Sequence, residues 1–149
     1  MTQTMPAPRM TLITLGVNDL KLSTKFYQEG LGWPLSKISN DHVSFFDLEG
    51  IRLGLYGKAQ LAEDAHAELG ENNKLQLVPS EAQQLPFNGI TMAHNVNSEE
   101  EVDRIIQIAV KAGAKLQASP SKKPWGYTGY FRDPDGYFWE VACCPAFPV

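Results

Sequence analysis

A chain of 149 residues with 43% apolar and 20% charged side chains is long enough for one ordinary domain with a real core. Its net charge of -4 and scattered lysines and arginines disfavour a nucleic-acid partner. No apolar run approaches the roughly 20 residues needed to span a bilayer.

The opening MTQTMPAPRM lacks an apolar h-region, so no signal peptide is expected and residues 1–8 read as a flexible leader. TLITLGV (11–17) reads as a strand. Asn18-Asp19 then precedes LKLSTKFYQEGLG, where Leu20, Phe26, Tyr27 and Leu31 recur at helical spacing. Asp19 can cap that helix, and Gly30 or Gly32 can end it. HVSFFDL and IRLGLY follow as strands around a turn at Glu49-Gly50. Residues 58–88 are polar, with a short helical patch in AQLAEDAHAEL, and a connector this long suits a flap or lid.

The same order then returns. GITMAHNV (89–96) reads as a strand, and Ser98-Glu99-Glu100-Glu101 is a capping box. Val102, Ile105, Ile106, Ala109 and Val110 trace one apolar helix face, closed by Gly113. Strand-like KLQA, WGYTGYF and YFWEVA complete the chain, the last two joined through Asp133-Pro134-Asp135-Gly136. Strand, helix and about three strands thus occur twice, and Ile13-Thr14-Leu15 echoes Ile90-Thr91-Met92. A duplicated βαβββ unit is expected, with modules at 9–57 and 89–149 joined by the 58–88 connector. Cys143 and Cys144 are adjacent, too close for an unstrained disulfide, and read as reduced thiols of a cytoplasmic protein.

With this duplication, LGVNDLKLSTKFYQEGLGW, AHNVNSEEEVDRIIQIAVKAGA and GYFRDPDGYFWEVA together resemble the vicinal oxygen chelate superfamily. That superfamily includes glyoxalase I, extradiol dioxygenases, fosfomycin-resistance enzymes and bleomycin-binding proteins. The resemblance covers about residues 8–146 and implies an α+β fold. Its two βαβββ modules would form an incomplete barrel-like cup in a protein that commonly dimerises. It also implies a divalent metal such as Zn, Ni, Mn or Fe, held by His, Glu or Gln from the first and last strands of each module.

Matched position by position, only one ligand station carries a donor. The last-strand station of the second module falls on Glu140 and the first-strand station on Thr91. In the first module the stations fall on Leu12, or Thr14 in the register of the internal echo, and on Leu53 or Gly54. A catalytic divalent ion needs three or four ligands, so no cofactor is expected, with Glu140 the ligand if a metal is present. Of the histidines, His94 should point to the helix side by strand alternation, and His42 and His66 match no station.

Closing the last hairpin with a two-residue turn at Asp133–Gly136 sets Gly129 opposite Glu140, Phe131 opposite Phe138 and Tyr127 opposite Ala142. These would share Glu140's face in the cup, leaving Tyr130 and Trp139 on the helix side. Leu12, Thr14 and Gly16 would line the cup from the first module, with Leu53 and Leu55 or, in the shifted register, Gly54. Thr91, Ala93 and Asn95 would line it from the second. Trp125 and Tyr127, after the loop SPSKKP, would stand at the mouth as stacking groups or pack on a second subunit.

The expected ligand site is therefore Thr14, Thr91, Asn95, Trp125, Tyr127, Phe131 and Phe138 around Glu140. It suits an aromatic or amphiphilic small molecule. The expected function is small-molecule binding of the glyoxalase/bleomycin-resistance type without the usual metal, by a homodimer with no nucleic-acid or membrane partner. The alternative is a glyoxalase-, lyase- or dioxygenase-like enzyme with Glu140 as general base, helped by Thr91 or Tyr127, or as a metal ligand.

Overall fold

The computed structural model describes residues 5–70 and 87–149; residues 71–86 of the connector and 1–4 of the leader lie outside the described residues. The first module runs β1 (Leu12–Val17), α1 (Leu20–Lys25), a π-helical turn (Phe26–Gly30), β2 (Val43–Asp47) and β3 (Arg52–Gly57). A short α2 (Lys58–Asp64) follows. The second module runs β4 (Met92–Asn95), α3 (Glu99–Lys111), β5 (Lys115–Lys123), β6 (Gly126–Arg132) and β7 (Phe138–Cys143).

Two open sheets result, ordered β1-β3-β2 and β4-β7-β6-β5. In each, the strand before the helix lies parallel to the last strand, and the remaining pairs are antiparallel. The first module's missing fourth strand is reduced to one bridge, Leu35 to Phe46. The expected α+β architecture forms, with a complete βαβββ second module and a first module whose extra strand is that single bridge.

Local chemistry starts both helices. Asp19 accepts the Leu22 N–H at 3.0 Å. Ser98 and Glu101 make the reciprocal capping box, Ser98 Oγ taking the Glu101 N–H at 3.2 Å and Glu101 Oε2 taking the Ser98 N–H at 3.1 Å. On α3, Val102, Ile106 and Ala109 are buried, an apolar stripe set against β5, β6 and β7.

One core serves both modules. Leu15, Val17, Phe46, Leu53 and Leu55 from the first sheet join Val102, Ile106, Phe131, Trp139 and Val141 from the second half. Neighbouring helical residues point roughly 100° apart, yet Phe26 and Tyr27 are both buried. The helix is covered from two sides. Phe26 meets Phe131, and Tyr27 meets Phe46 of its own sheet and Trp139 of the other. Where the helices cross, a Cβ on Gly30 would stand only 2.6 Å from the Ala112 Cβ, so glycine sets how closely the modules approach.

The polar seam between modules is the Asp133–Tyr137 turn. Asp133 Oδ2 accepts the Tyr27 hydroxyl at 2.5 Å, and its Oδ1 accepts the backbone N–H groups of Asp135 and Tyr137. Asp135 accepts the Ser23 hydroxyl and the Asn18 N–H, while Tyr137 donates to the Gly16 carbonyl at 2.7 Å. Trp139 Nε1–H completes the chain by donating to the Tyr27 oxygen at 2.9 Å. Both aspartates are nearly inaccessible.

Burial, reinforced by the neighbouring Asp135, raises the Asp133 carboxyl to about 7. Asp135 is also raised, chiefly by burial. A folded-state value above the unfolded one means that Asp133's contribution to stability is full below about pH 4 and lost as pH rises through about 7. Urea melts at pH 5.5 and 8.0 should therefore show a loss of a few kcal/mol on going up. Asp133→Asn should remove most of that slope and leave the smaller Asp135 part. A slope unchanged by the substitution would contradict this assignment.

This turn also corrects the expected register. Gly136 N–H bonds to the Asp133 carbonyl, Asp133 N–H bonds to the Tyr137 carbonyl, and Gly136 has φ +90°. That is a type I turn followed by a left-handed glycine, a three-residue loop rather than a two-residue one. Tyr130 thus faces Glu140, Thr128 faces Ala142 and Arg132 faces Phe138. Phe131 and Tyr127 move to the opposite, helix-packed face, where Phe131 is buried and Tyr127 Oη donates to Asp103 of α3 at 2.7 Å. Trp139 lies on the helix side as expected, and Tyr130 does not.

Two smaller corrections accompany it. SPSKK is not a loop, because β5 continues through it and pairs Lys123 with Gly126. Trp125 therefore stands on a two-residue turn with Pro124. In the first module Leu53 and Leu55 face the core, and Gly54 takes the opposite face with Leu12, Thr14 and Phe45.

Candidate functional site

A groove of about 1120 Å³ follows β4 and the face of β7 that carries Glu140. One wall is the first module's Trp33 and the hairpin residues Leu48, Glu49 and Ile51. The other wall is Trp125 with the segment from Cys144 to Phe147, the floor holds Ala93, Asn95, Glu140 and Ala142, and Trp139 reaches the groove from the helix-side face beside Trp33. Strand alternation explains the floor, since Ala93 pairs with Glu140 and Asn95 with Ala142.

Glu140 is half-buried and has company. Its Oε1 accepts the Thr128 hydroxyl at 3.0 Å, and that hydroxyl also lies 3.2 Å from the Val141 carbonyl. Tyr130, across the strands, is a second hydroxyl partner of the carboxylate. Its phenol is raised by burial, by the Glu140 charge and by their hydrogen bond. The expected companion Thr91 is exposed, precedes β4, and does not line the groove. The one-residue change of register in the β6–β7 hairpin instead supplies other companions. It turns Thr128 and Tyr130 toward Glu140 in place of Gly129 and Tyr127.

Of the expected ligand residues, Asn95 and Trp125 join Glu140 in the groove. Phe138 shares the face but is covered otherwise, with the Arg132 guanidinium 4.1 Å over its ring and Phe87 edge-on at 5.1 Å. Thr14 lines a separate crevice of about 370 Å³ beneath α2, with Leu61 and Tyr137. Sequence reasoning missed Trp33, Glu49 and Phe147, which reach the groove from outside the matched strands. His94 lies on the helix-side parity, opposite Val141, and its ring meets Trp33 edge-on at 5.9 Å. Burial lowers its pKa, with the Glu101 charge opposing. Cys143 ends β7 and Cys144 follows it, and both are free thiols.

Register shows which residues lie level with Glu140 and with its counterpart in the first module. Glu140 lies four residues past Gly136 in its module, and Gly54 four past Gly50 in the other. Their parallel partners are Ala93 and Thr14. Glycine, alanine, threonine and one glutamate do not make a donor set for a catalytic divalent ion. Among the described residues no three His, Cys, Asp or Glu side chains converge as a metal site.

A sequence model of the Glyoxalase/Bleomycin resistance protein/Dioxygenase superfamily matches residues 9–141. The chain belongs to that superfamily. Among solved structures it is similar to a glyoxalase-related enzyme from Fulvimarina pelagi, with a TM-score of 0.79, 31% identity, and coverage of 95% of this chain and 91% of that one. A glyoxalase/bleomycin resistance protein/dioxygenase from Nocardioides aligns with a TM-score of 0.67 and 26% identity over 93% and 85% of the two chains. The Bacillus subtilis (strain 168) protein YraH is 29% identical over 136 residues, 89% of this chain and 96% of its own. No helix among the described residues is long and apolar enough to cross a membrane.

Proposed function

We propose that the protein is a small-molecule binder of the glyoxalase/bleomycin-resistance type that works without the usual catalytic metal. The observation that carries this reading is the composition of the groove. Aromatic and aliphatic side chains surround a few polar points, and the three ligand stations other than Glu140 hold Thr91, Leu12 or Thr14, and Leu53 or Gly54. Metal analysis of the purified protein tests it directly. Zinc, nickel, manganese or iron near one per chain would overturn the metal-free reading.

A second reading is supported by one feature. Glu140 stands between two hydroxyls at the groove floor, an arrangement suited to a general base in a lyase or isomerase. Glu140→Gln separates the two readings. Binding of a neutral aromatic probe should stay within about threefold of the native value if the groove only binds. If Glu140 is the base, turnover of a processed substrate should fall by at least about 100-fold in the same variant.

A further inference from the structure

We propose that the ligand of this groove is an organic cation, a protonated or quaternary amine carried on an aromatic body. This rests on the binding reading above and specifies its ligand class. All three tryptophans of the chain, Trp33, Trp125 and Trp139, line this single groove. Trp33 and Trp139 meet edge to face with centroids 5.3 Å apart, while Trp125 is 47% exposed on its turn. Indole faces are the strongest aromatic partners for a cation, and the attraction grows when water is excluded.

The charges agree with the rings. Among the described residues the charged side chains of the lining are Glu49 and Glu140, with no lysine or arginine beside them. His94, the remaining basic side chain there, is disfavoured as a cation by its burial. An anionic ligand would face two carboxylates and no cation. An ammonium group would face two carboxylates and the exposed indole of Trp125, and the net charge of -4 adds the same sign at longer range. Thr128 and Tyr130 hold the Glu140 carboxylate in place, so little ordering is needed when a cation arrives. A neutral aromatic body gains the apolar walls alone, which makes the cationic contribution separable.

Isothermal titration calorimetry with three matched probes tests this: (2-naphthylmethyl)trimethylammonium, 2-naphthalenemethanol and 2-naphthalenesulfonate. The ammonium probe should bind at least about 10-fold tighter than the alcohol, and the sulfonate no better than the alcohol. Glu140→Gln should bring the ammonium probe close to the alcohol's affinity and move the alcohol by no more than about threefold. Glu49→Gln, at an exposed hairpin, should weaken the ammonium probe by about twofold to threefold and serves if the first variant does not fold. Equal affinity for ammonium and alcohol, or preference for the sulfonate, overturns the cation inference and leaves the binding reading standing. Unchanged ammonium affinity in both variants also overturns it. Failure of all three probes to bind overturns both readings.

Discussion

Asp133→Ala is expected to lower the stability of the chain by about 3–5 kcal/mol, measured by urea unfolding at pH 7. The substitution leaves the Tyr27 hydroxyl and the N–H groups of Asp135 and Tyr137 without their acceptor. An unsatisfied buried donor costs about 1–3 kcal/mol, and relief from burying a carboxyl offsets part of the sum. Asp133→Asn should lose only about 1 kcal/mol at the same pH. Its amide oxygen still accepts both backbone groups, but its NH₂ cannot accept the Tyr27 proton. Pairing Asp133→Ala with Tyr27→Phe should cost less than the sum of the two, because they break the same bond. Equal losses for alanine and asparagine would show that the acceptors are not what matters.

The second large effect belongs to Trp139. Its ring is buried against Tyr27, Trp33 and Phe131, and its N–H is spent on the Tyr27 oxygen. Trp139→Ala should cost about 3–5 kcal/mol through the cavity it leaves, with the urea m-value unchanged. The same substitution removes part of the groove lining, so naphthyl probes should bind the folded variant at least about fivefold more weakly. Trp139→Phe should recover much of the stability and less of the binding, since the hydrogen bond and indole face do not return. A loss below about 1 kcal/mol for the alanine variant would contradict a core shared by both modules.

The fold was legible where local signals agreed with the repeat. Asp19, Ser98 with Glu101, and the strand-turn-strand runs around Gly50 and Gly136 each specify their own backbone. The site was less legible because it depends on parity, which a single residue reverses. Asp-Pro-Asp-Gly carries the preferences of a type I turn, Asp first, Pro second and Gly fourth, and that chemistry implies the three-residue loop. Given that weight, it would have turned Thr128 and Tyr130 toward Glu140 and sent Phe131 to the core. Trp33 and Phe147 were beyond such reasoning. They reach the groove through the way the modules pack, and no periodicity within either module encodes that.

The bond between Tyr27 and Asp133 spans 106 residues. On a ribosome that interval is time. The first helix is made early, with Ser23, Phe26 and Tyr27 ready to be covered, and waits until the last hairpin emerges. Contacts so distant along the chain form late in folding. The first module must therefore persist half-finished during synthesis, with an aromatic helix face open to chaperones or to another nascent chain. Completion of the polar seam is the event that removes that surface from circulation.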